Sequence, residues 1–220
     1  MRIIDSISDL HGYCPELEGG DLLIIAGDLT ANDWLHQYDK FYDWVRTQDY
    51  KKIIVIAGNH DNFLQENPSF ITIYDGELSY LCDSGTQFEG LKIWGSPWTL
   101  AFEGMNPKCK AFTVDTEEEL AEKWNLIPND VDILVTHSPP YGILDKTLFE
   151  NHVGSVTLEN AVQRIKPYLH VFGHVHECGG KVDDLVHYEN MCGSKLTTMV
   201  NASHVNERYE PVNKPIRMEI

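Results

Sequence analysis

Basic charge is scarce in this chain: 17 Lys+Arg stand against 34 Asp+Glu in 220 residues, a formal net charge of -17. That balance argues against a non-specific nucleic-acid or anionic-membrane surface, because either needs a basic face to displace counterions. Arginine is the rarest cation, present only at positions 2, 46, 164, 208 and 217. Cysteine is sparse too. Cys14, Cys82, Cys109, Cys178 and Cys192 are odd in number and form no CxxC pair, so neither a disulfide framework nor a zinc ribbon is indicated. No run reaches the roughly 18 apolar residues of a membrane-spanning helix, and the first residues lack a signal peptide's apolar core. The expectation is a soluble, cytoplasmic protein with free thiols.

What is present is a globular composition, 42% hydrophobic and 23% charged. A chain of this length can bury roughly 70% of its unfolded surface, so residues 1–220 are expected to form a single domain. Short apolar runs (22–26, 53–57, 131–135 and 169–172) read as buried strands. Between the first two, Trp34, Tyr38, Phe41 and Val45 make one apolar stripe of a helix. Thr116 and Glu119 form a capping box that starts a second helix, which stops before Pro128. Leu158, Ala161, Val162 and Ile165 mark a third, ended by Pro167. Segments near 71–73, 91–94, 185–188, 196–200 and 216–220 read as further strands, some antiparallel. Alternation on this scale predicts a layered α/β domain with its chemistry just past the carboxyl ends of strands.

The polar residues gather at those ends. Asp9 and His11 follow the opening segment 3–7, Asp28 the run 22–26, Asn59, His60 and Asp61 the run 53–57, His137 the run 131–135, and His174 and His176 the run 169–172. Any one cluster alone means little, since a lone histidine is more often a hydrogen-bonded core residue than a ligand. Together they supply the carboxylate, amide and imidazole donors that a pair of divalent cations accepts, with Asp28 the candidate bridge. In Asp9-Leu10-His11 and His174-Val175-His176, extended backbone would put both polar side chains on one face.

Asp9-x-His11, Gly27-Asp28, Gly58-Asn59-His60-Asp61, Thr136-His137 and Gly173-His174-x-His176 together resemble the signature of the calcineurin-like metallophosphoesterases. Glu18-Gly19-Gly20-Asp21, Trp94-Gly95-Ser96-Pro97-Trp98, Pro139-Pro140-Tyr141-Gly142 and Val200-Asn201-Ala202-Ser203 are similar to its branch of metallophosphoesterase-domain-containing proteins, typified by the 239 brain and adult proteins. The resemblance implies a four-layer α/β/β/α sandwich with a dinuclear centre at the sheet edge. Asp9, His11 and His176 would hold one metal, Asn59, His137 and His174 the other, and Asp28 would bridge. His60 would face the substrate with Asp61 orienting its ring, and a metal-bridging hydroxide would attack phosphorus. Manganese is the family's expected ion; iron, zinc, cobalt and nickel suit the same donors.

The arginine-bearing extension of the Ser/Thr protein phosphatases is missing after Gly27-Asp28. A phosphate dianion gains much from a guanidinium fork and a diester monoanion needs less. The leading expectation is therefore a phosphodiesterase for small or cyclic-nucleotide-like esters, with a nucleotide as one candidate partner and long nucleic acid and membrane excluded. Phosphomonoesterase or nucleotidase activity is the alternative on the same site, and a non-catalytic protein-binding scaffold is the alternative from another class. Trp98, Tyr141 and His152 are the candidate substrate contacts, and Trp94 and Trp98 could equally close the core. His36, His170, His187 and His204 read as structural.

Overall fold

A computed structural model describes residues 1–71, 78–102, 104–190 and 193–220. Strands β1 (Ile3–Ile7), β2 (Gly20–Ala26), β3 (Tyr50–Ile56) and β4 (Leu78–Tyr80) run parallel, and β13 (Ile216–Glu219) closes this sheet antiparallel to β1. The second sheet has the order β11 (Lys181–Asn190), β12 (Gly193–Asn201), β10 (Leu169–Phe172), β9 (Ile133–Thr136), β6 (Leu91–Ser96), β5 (Ser84–Phe88). Its four inner strands are parallel and both edges antiparallel. A short parallel pair, β7 (Thr99–Leu100) and β8 (Thr113–Val114), stands apart.

The period of two in each strand sorts its side chains between layers. Leu23, Ile25 and Val55 face outward, where Tyr38, Phe41 and Val45 of helix α1 (Leu35–Val45) cover them. Leu22, Ile24, Ile54 and Ile56 face inward onto Ile93, Ile133, Val135 and Val171 of the second sheet. Leu134, Phe172 and Met199 face the far side, under α3 (Glu117–Trp124) and α4 (Val156–Ile165). The order is helix, sheet, sheet, helix, the sandwich that the family resemblance implies. Truncating an inward-facing residue such as Ile54 to Ala would cost about 2–5 kcal/mol through the cavity left behind.

The helix signals are placed as expected, with one correction. The Thr116 hydroxyl accepts from the Glu119 amide at 3.2 Å, and Lys166 ends α4 at a left-handed φ of 53° just before Pro167. Trp34 is not part of the buried stripe of α1; it sits at the N-cap and is 58% exposed. The Glu117 carboxylate accepts from Ser155 and Thr157 and ties α3 to α4. Strands over 91–94, 185–188, 196–200 and 216–220 are present, whereas the one expected near 71–73 falls mostly outside the described residues. The short α2 (Asn62–Glu66) carries no sequence signal of its own.

Candidate metal centre

Each candidate residue stands just past the carboxyl end of a parallel strand. Asp9 and His11 follow β1, Asp28 follows β2, Asn59, His60 and Asp61 follow β3, His137 follows β9, and His174 and His176 follow β10. A sixth strand end joins them: β12 delivers Asn201 and Ser203, and Ser203 pairs with Ser8 in a parallel bridge that stitches the two sheets together. The Ser203 hydroxyl donates to Asp9 Oδ2 at 2.6 Å, and the amide of His174 donates to the same oxygen at 3.0 Å.

The backbone here is not extended. Asp9, His11, Asp28 and His174 have φ of 52°, 43°, 53° and 67°. Left-handed backbone costs a residue with a Cβ about 1–2 kcal/mol, so its recurrence marks segments held by their surroundings. The amides of Asp9 and His11 donate to Gly27 and Asp28 carbonyls at 3.0 and 2.9 Å, and those bonds help hold the curl. Asp9 and His11, and His174 and His176, therefore converge because the chain curls over the sheet edge, and the expected strand-like alternation is corrected.

Around Asp28 the donors fall into two poles. Oδ2 lies 3.7 Å from His11 Nε2 and 3.9 Å from His60 Nε2; Oδ1 lies 3.4 Å from His137 Nε2. At the first pole Asp9 Oδ1 is 3.2 Å from His176 Nε2, and the Nε2 atoms of His11 and His176 face each other at 3.3 Å. At the second, His137 Nε2 is 3.1 Å from Asn59 Oδ1. Asp9, His11 and His176 offer ligand atoms all within 4.8 Å of one another, as do Asp9, Asp28 and His137. His174 is turned aside, with Nε2 3.3 Å from Thr99 Oγ1, although its ring centroid is 5.0 Å from that of His137.

These residues fit a pair of divalent cations. Oxygen and imidazole donors in this mixture suit hard and borderline ions. Glycine keeps the cradle open: a Cβ at Gly58 would overlap Asp28 Oδ1, and one at Gly173 would overlap Asp9 Oδ2. The rings are also oriented by what their other nitrogens touch. His137 Nδ1 donates to the Ala26 carbonyl at 2.9 Å and His60 Nδ1 to that of Ala31 at 2.9 Å, so each turns Nε2 to the site. Asn59 Nδ2 donates to the Cys109 carbonyl at 3.3 Å, which turns Oδ1 the same way.

Asp61 does not orient the His60 ring, contrary to the expectation. Its oxygens accept from the amides of Gly58, Leu29 and Thr30 at 2.9, 3.1 and 3.1 Å and from the Thr30 hydroxyl at 3.2 Å. Asp61 is fully buried beneath the loops that carry Asp28 and Asn59, and it pins them together. The His60 ring instead meets the Ala31 carbonyl, the Cys109 thiol 3.3 Å from Nδ1 and, edge-on at 4.6 Å between centroids, the His11 ring.

The charge pattern suits cation capture. Burial would raise the Asp9 carboxyl, but the His176 hydrogen bond and nearby imidazoles outweigh it and hold Asp9 well below the carboxylate range. Asp28 is held low in the same way, by His137 and His60 against burial. Burial pushes His11 down to about 4 and His174 down to about 3, which leaves both neutral and able to ligate. His137 goes the other way, up to about 9, because the Asp28 charge and hydrogen bond exceed its burial. Burial and the Asp28 charge push Asp61 up to about 7 against its amide donors.

The proposed substrate contacts lie elsewhere. Trp98 donates Nε1 to Asp83 at 2.7 Å, stacks edge-on with Phe112 and lies beneath the Lys123 ammonium, a core-closing position. His152 is held by Asp145 at 2.5 Å and faces Tyr141 at 5.4 Å between centroids. None of the three lines the cavity of about 180 Å³ over the donors, whose walls include His60, His176, Phe102, Glu207 and Tyr209. Tyr209, at a left-handed φ of 61°, packs edge-on against His11 and His176 at 4.8 and 5.0 Å between centroids. Phe102 and Tyr209 sit in loops without periodicity, and only the Asn206-Glu207-Arg208 turn hints at a bend there.

A helix-sheet-sheet-helix sandwich with Asp, Asn and His donors at its carboxyl edge is the architecture of a metallophosphoesterase. Residues 2–178 match the Calcineurin-like phosphoesterase family, and the chain belongs to it. The chain is 38% identical to human metallophosphoesterase domain-containing protein 1, over 97% of this chain and 69% of that protein. A UPF0046 protein of Caenorhabditis elegans is 31% identical over 99% of this chain and 79% of its own length. The solved structure of TT1561 from Thermus thermophilus superposes with a TM-score of 0.59 at 18% identity, covering 99% and 98% of the two chains. Another superposes with a TM-score of 0.65 at 16% identity, covering 91% and 90%. At these identities the structures speak to the fold alone.

Proposed function

We propose that this chain is a dinuclear-metal-dependent phosphodiesterase acting on small or cyclic-nucleotide-like phosphodiesters. The observation that carries the reading is the division of the Asp28 carboxylate, one oxygen toward His11 and the other toward His137, as a bridging ligand requires. Asp9, His11 and His176 would hold one ion, Asn59, His137 and His174 the second, with manganese the family-based choice over iron, zinc, cobalt or nickel. When bound, two such cations supply Lewis acidity and a nucleophile drawn from water at neutral pH.

The chain's own residues would do the rest. His60, anchored through Nδ1, presents Nε2 to the cavity, where a second proton taken up by the ring can pass to a phosphoryl or departing oxygen. Asp61 acts one step removed, by keeping the Asp28 and Asn59 loops in register. The preference for diesters is supported by the walls of the donor cavity, which among the described residues carry Glu177 and Glu207 and no arginine, a poor setting for a second phosphate charge. A net charge of -17 favours a small ester over long nucleic acid as partner. The two sheets share one buried layer, which supports a single domain across 1–220. Among the described residues no helix is long and apolar enough to cross a membrane, and cytoplasmic residence is part of the proposal.

The test compares manganese-loaded protein on a mono- and a diester with the same leaving group. The diester should be hydrolysed faster; a monoester faster by tenfold would assign a phosphomonoesterase instead. Metal-loaded protein that hydrolyses neither would leave the scaffold reading.

A further inference from the structure

A second cavity adjoins the one over the donors. It measures about 410 Å³ against about 180 Å³, and Phe102, His174 and Glu177 line both. Its remaining walls are mostly apolar, with Leu100, Ala101, Val153 and Val175. Of its two threonines, Thr99 is engaged with His174, and the Thr147 hydroxyl is shut off from solvent. The volume falls in the range of small-molecule sites, roughly 300–1,000 Å³, whereas the donor cavity alone falls below it.

We propose that this cavity is the subsite for the organic group of the ester, and that it selects an aryl or alkyl group. The proposal rests on the phosphoesterase reading and specifies its substrate class. Continuity with the donor site identifies the occupant: a phosphoryl group held beside His174 has its ester substituent beside Phe102, and the space beyond is walled by hydrocarbon. Burying a ring there removes apolar surface from water. Glu177, at the junction of the cavities, disfavours a second anionic group. A polyphosphate or a second nucleotide is therefore a poor fit.

Calorimetry on the manganese-loaded protein with methylphosphonate and phenylphosphonate reads the subsite without requiring turnover. Phenylphosphonate should bind at least about tenfold more tightly, because a buried ring removes on the order of 100 Å² of apolar surface. Val153→Asp should abolish that difference and leave methylphosphonate affinity unchanged; Val153 is 47% exposed, so the fold should accept the charge. Ala101→Glu, on another wall, should act alike, and thermal melts establish that each variant is folded. Equal affinities in the wild type, or a phenyl preference that survives both folded variants, would overturn the subsite. The methyl and phenyl esters of 4-nitrophenyl phosphate separate the two readings: metal-dependent turnover of both at equal kcat/KM defeats the subsite alone. Absence of turnover with phenylphosphonate still preferred defeats the phosphoesterase reading and leaves an apolar anion site.

Discussion

The backbone amide of His60 donates to Oδ1 of Asp28 at 2.9 Å, while the ring Nε2 of the same residue stands 3.9 Å from Oδ2. One residue thus meets both oxygens, and the carboxylate plane is set before any cation arrives. The contact follows from β2 and β3 being parallel neighbours that end together, with Ala26 opposite Ile56.

Asp28→Ala should abolish metal-dependent hydrolysis of a bis-aryl phosphate, a loss of at least about 100-fold, by removing the carboxylate whose two oxygens divide between the poles. Thermal unfolding should stay cooperative, because the Asp61 tethers between the loops remain. Retained activity would place the bridging ligand elsewhere.

His60→Ala is expected to lower kcat by about 100-fold or more, the scale of a positioned proton donor, with metal content unchanged by elemental analysis. Loss of bound metal along with turnover would make His60 a ligand instead.

Asp61→Asn tests the loop-pinning role. An amide nitrogen would replace one oxygen that now faces backbone donors, leaving at least one buried amide unmatched at about 1–3 kcal/mol. Urea unfolding of the metal-free protein should show the loss. An unchanged midpoint would remove the tether argument.

His170 offers a pH signature away from the donor poles. It is buried, with Nε2 2.8 Å from Thr136 Oγ1, and burial pushes it down to about 3. Below its ordinary value near 6.5 the unfolded chain takes up a proton that the folded chain refuses, so His170 makes stability fall as pH drops from about 6.5 toward 3. The slope it adds approaches about 1.4 kcal/mol per pH unit. His170→Gln, which can still pair with Thr136, should flatten the stability curve between pH 6 and 4 relative to wild type. Identical slopes would mean that His170 already binds a proton in the folded state.

Much of the site was legible before folding because each motif follows an apolar run, and parallel strands deliver their ends to one edge. That logic places Asp9, Asp28, Asn59, His137 and His176 together, and it read helix α3 from a capping box. It failed where a side chain passes over a near neighbour in sequence for a partner far along the chain. Asp61 follows His60 directly, yet its carboxylate turns to the amides of Leu29 and Thr30. Trp98 sits two residues past β6, yet Asp83 and Phe112 claim it for the core.

The sequence by itself determined the succession of buried strands and amphipathic helices, through apolar runs and helical stripes, and the donor set, through residue types that only a cation or a proton transfer would bring to so many strand ends. Tertiary structure alone decided which atoms face inward. Four donor residues reach the site on left-handed backbone that no local pattern announces. Phe102 and Tyr209, on loops brought in from either side of the last two motifs, form the walls. Such choices depend on hydrogen bonds between segments far apart in the chain, here Ser203 to Asp9 and Leu29 to Asp61, and those exist only once the two sheets have closed.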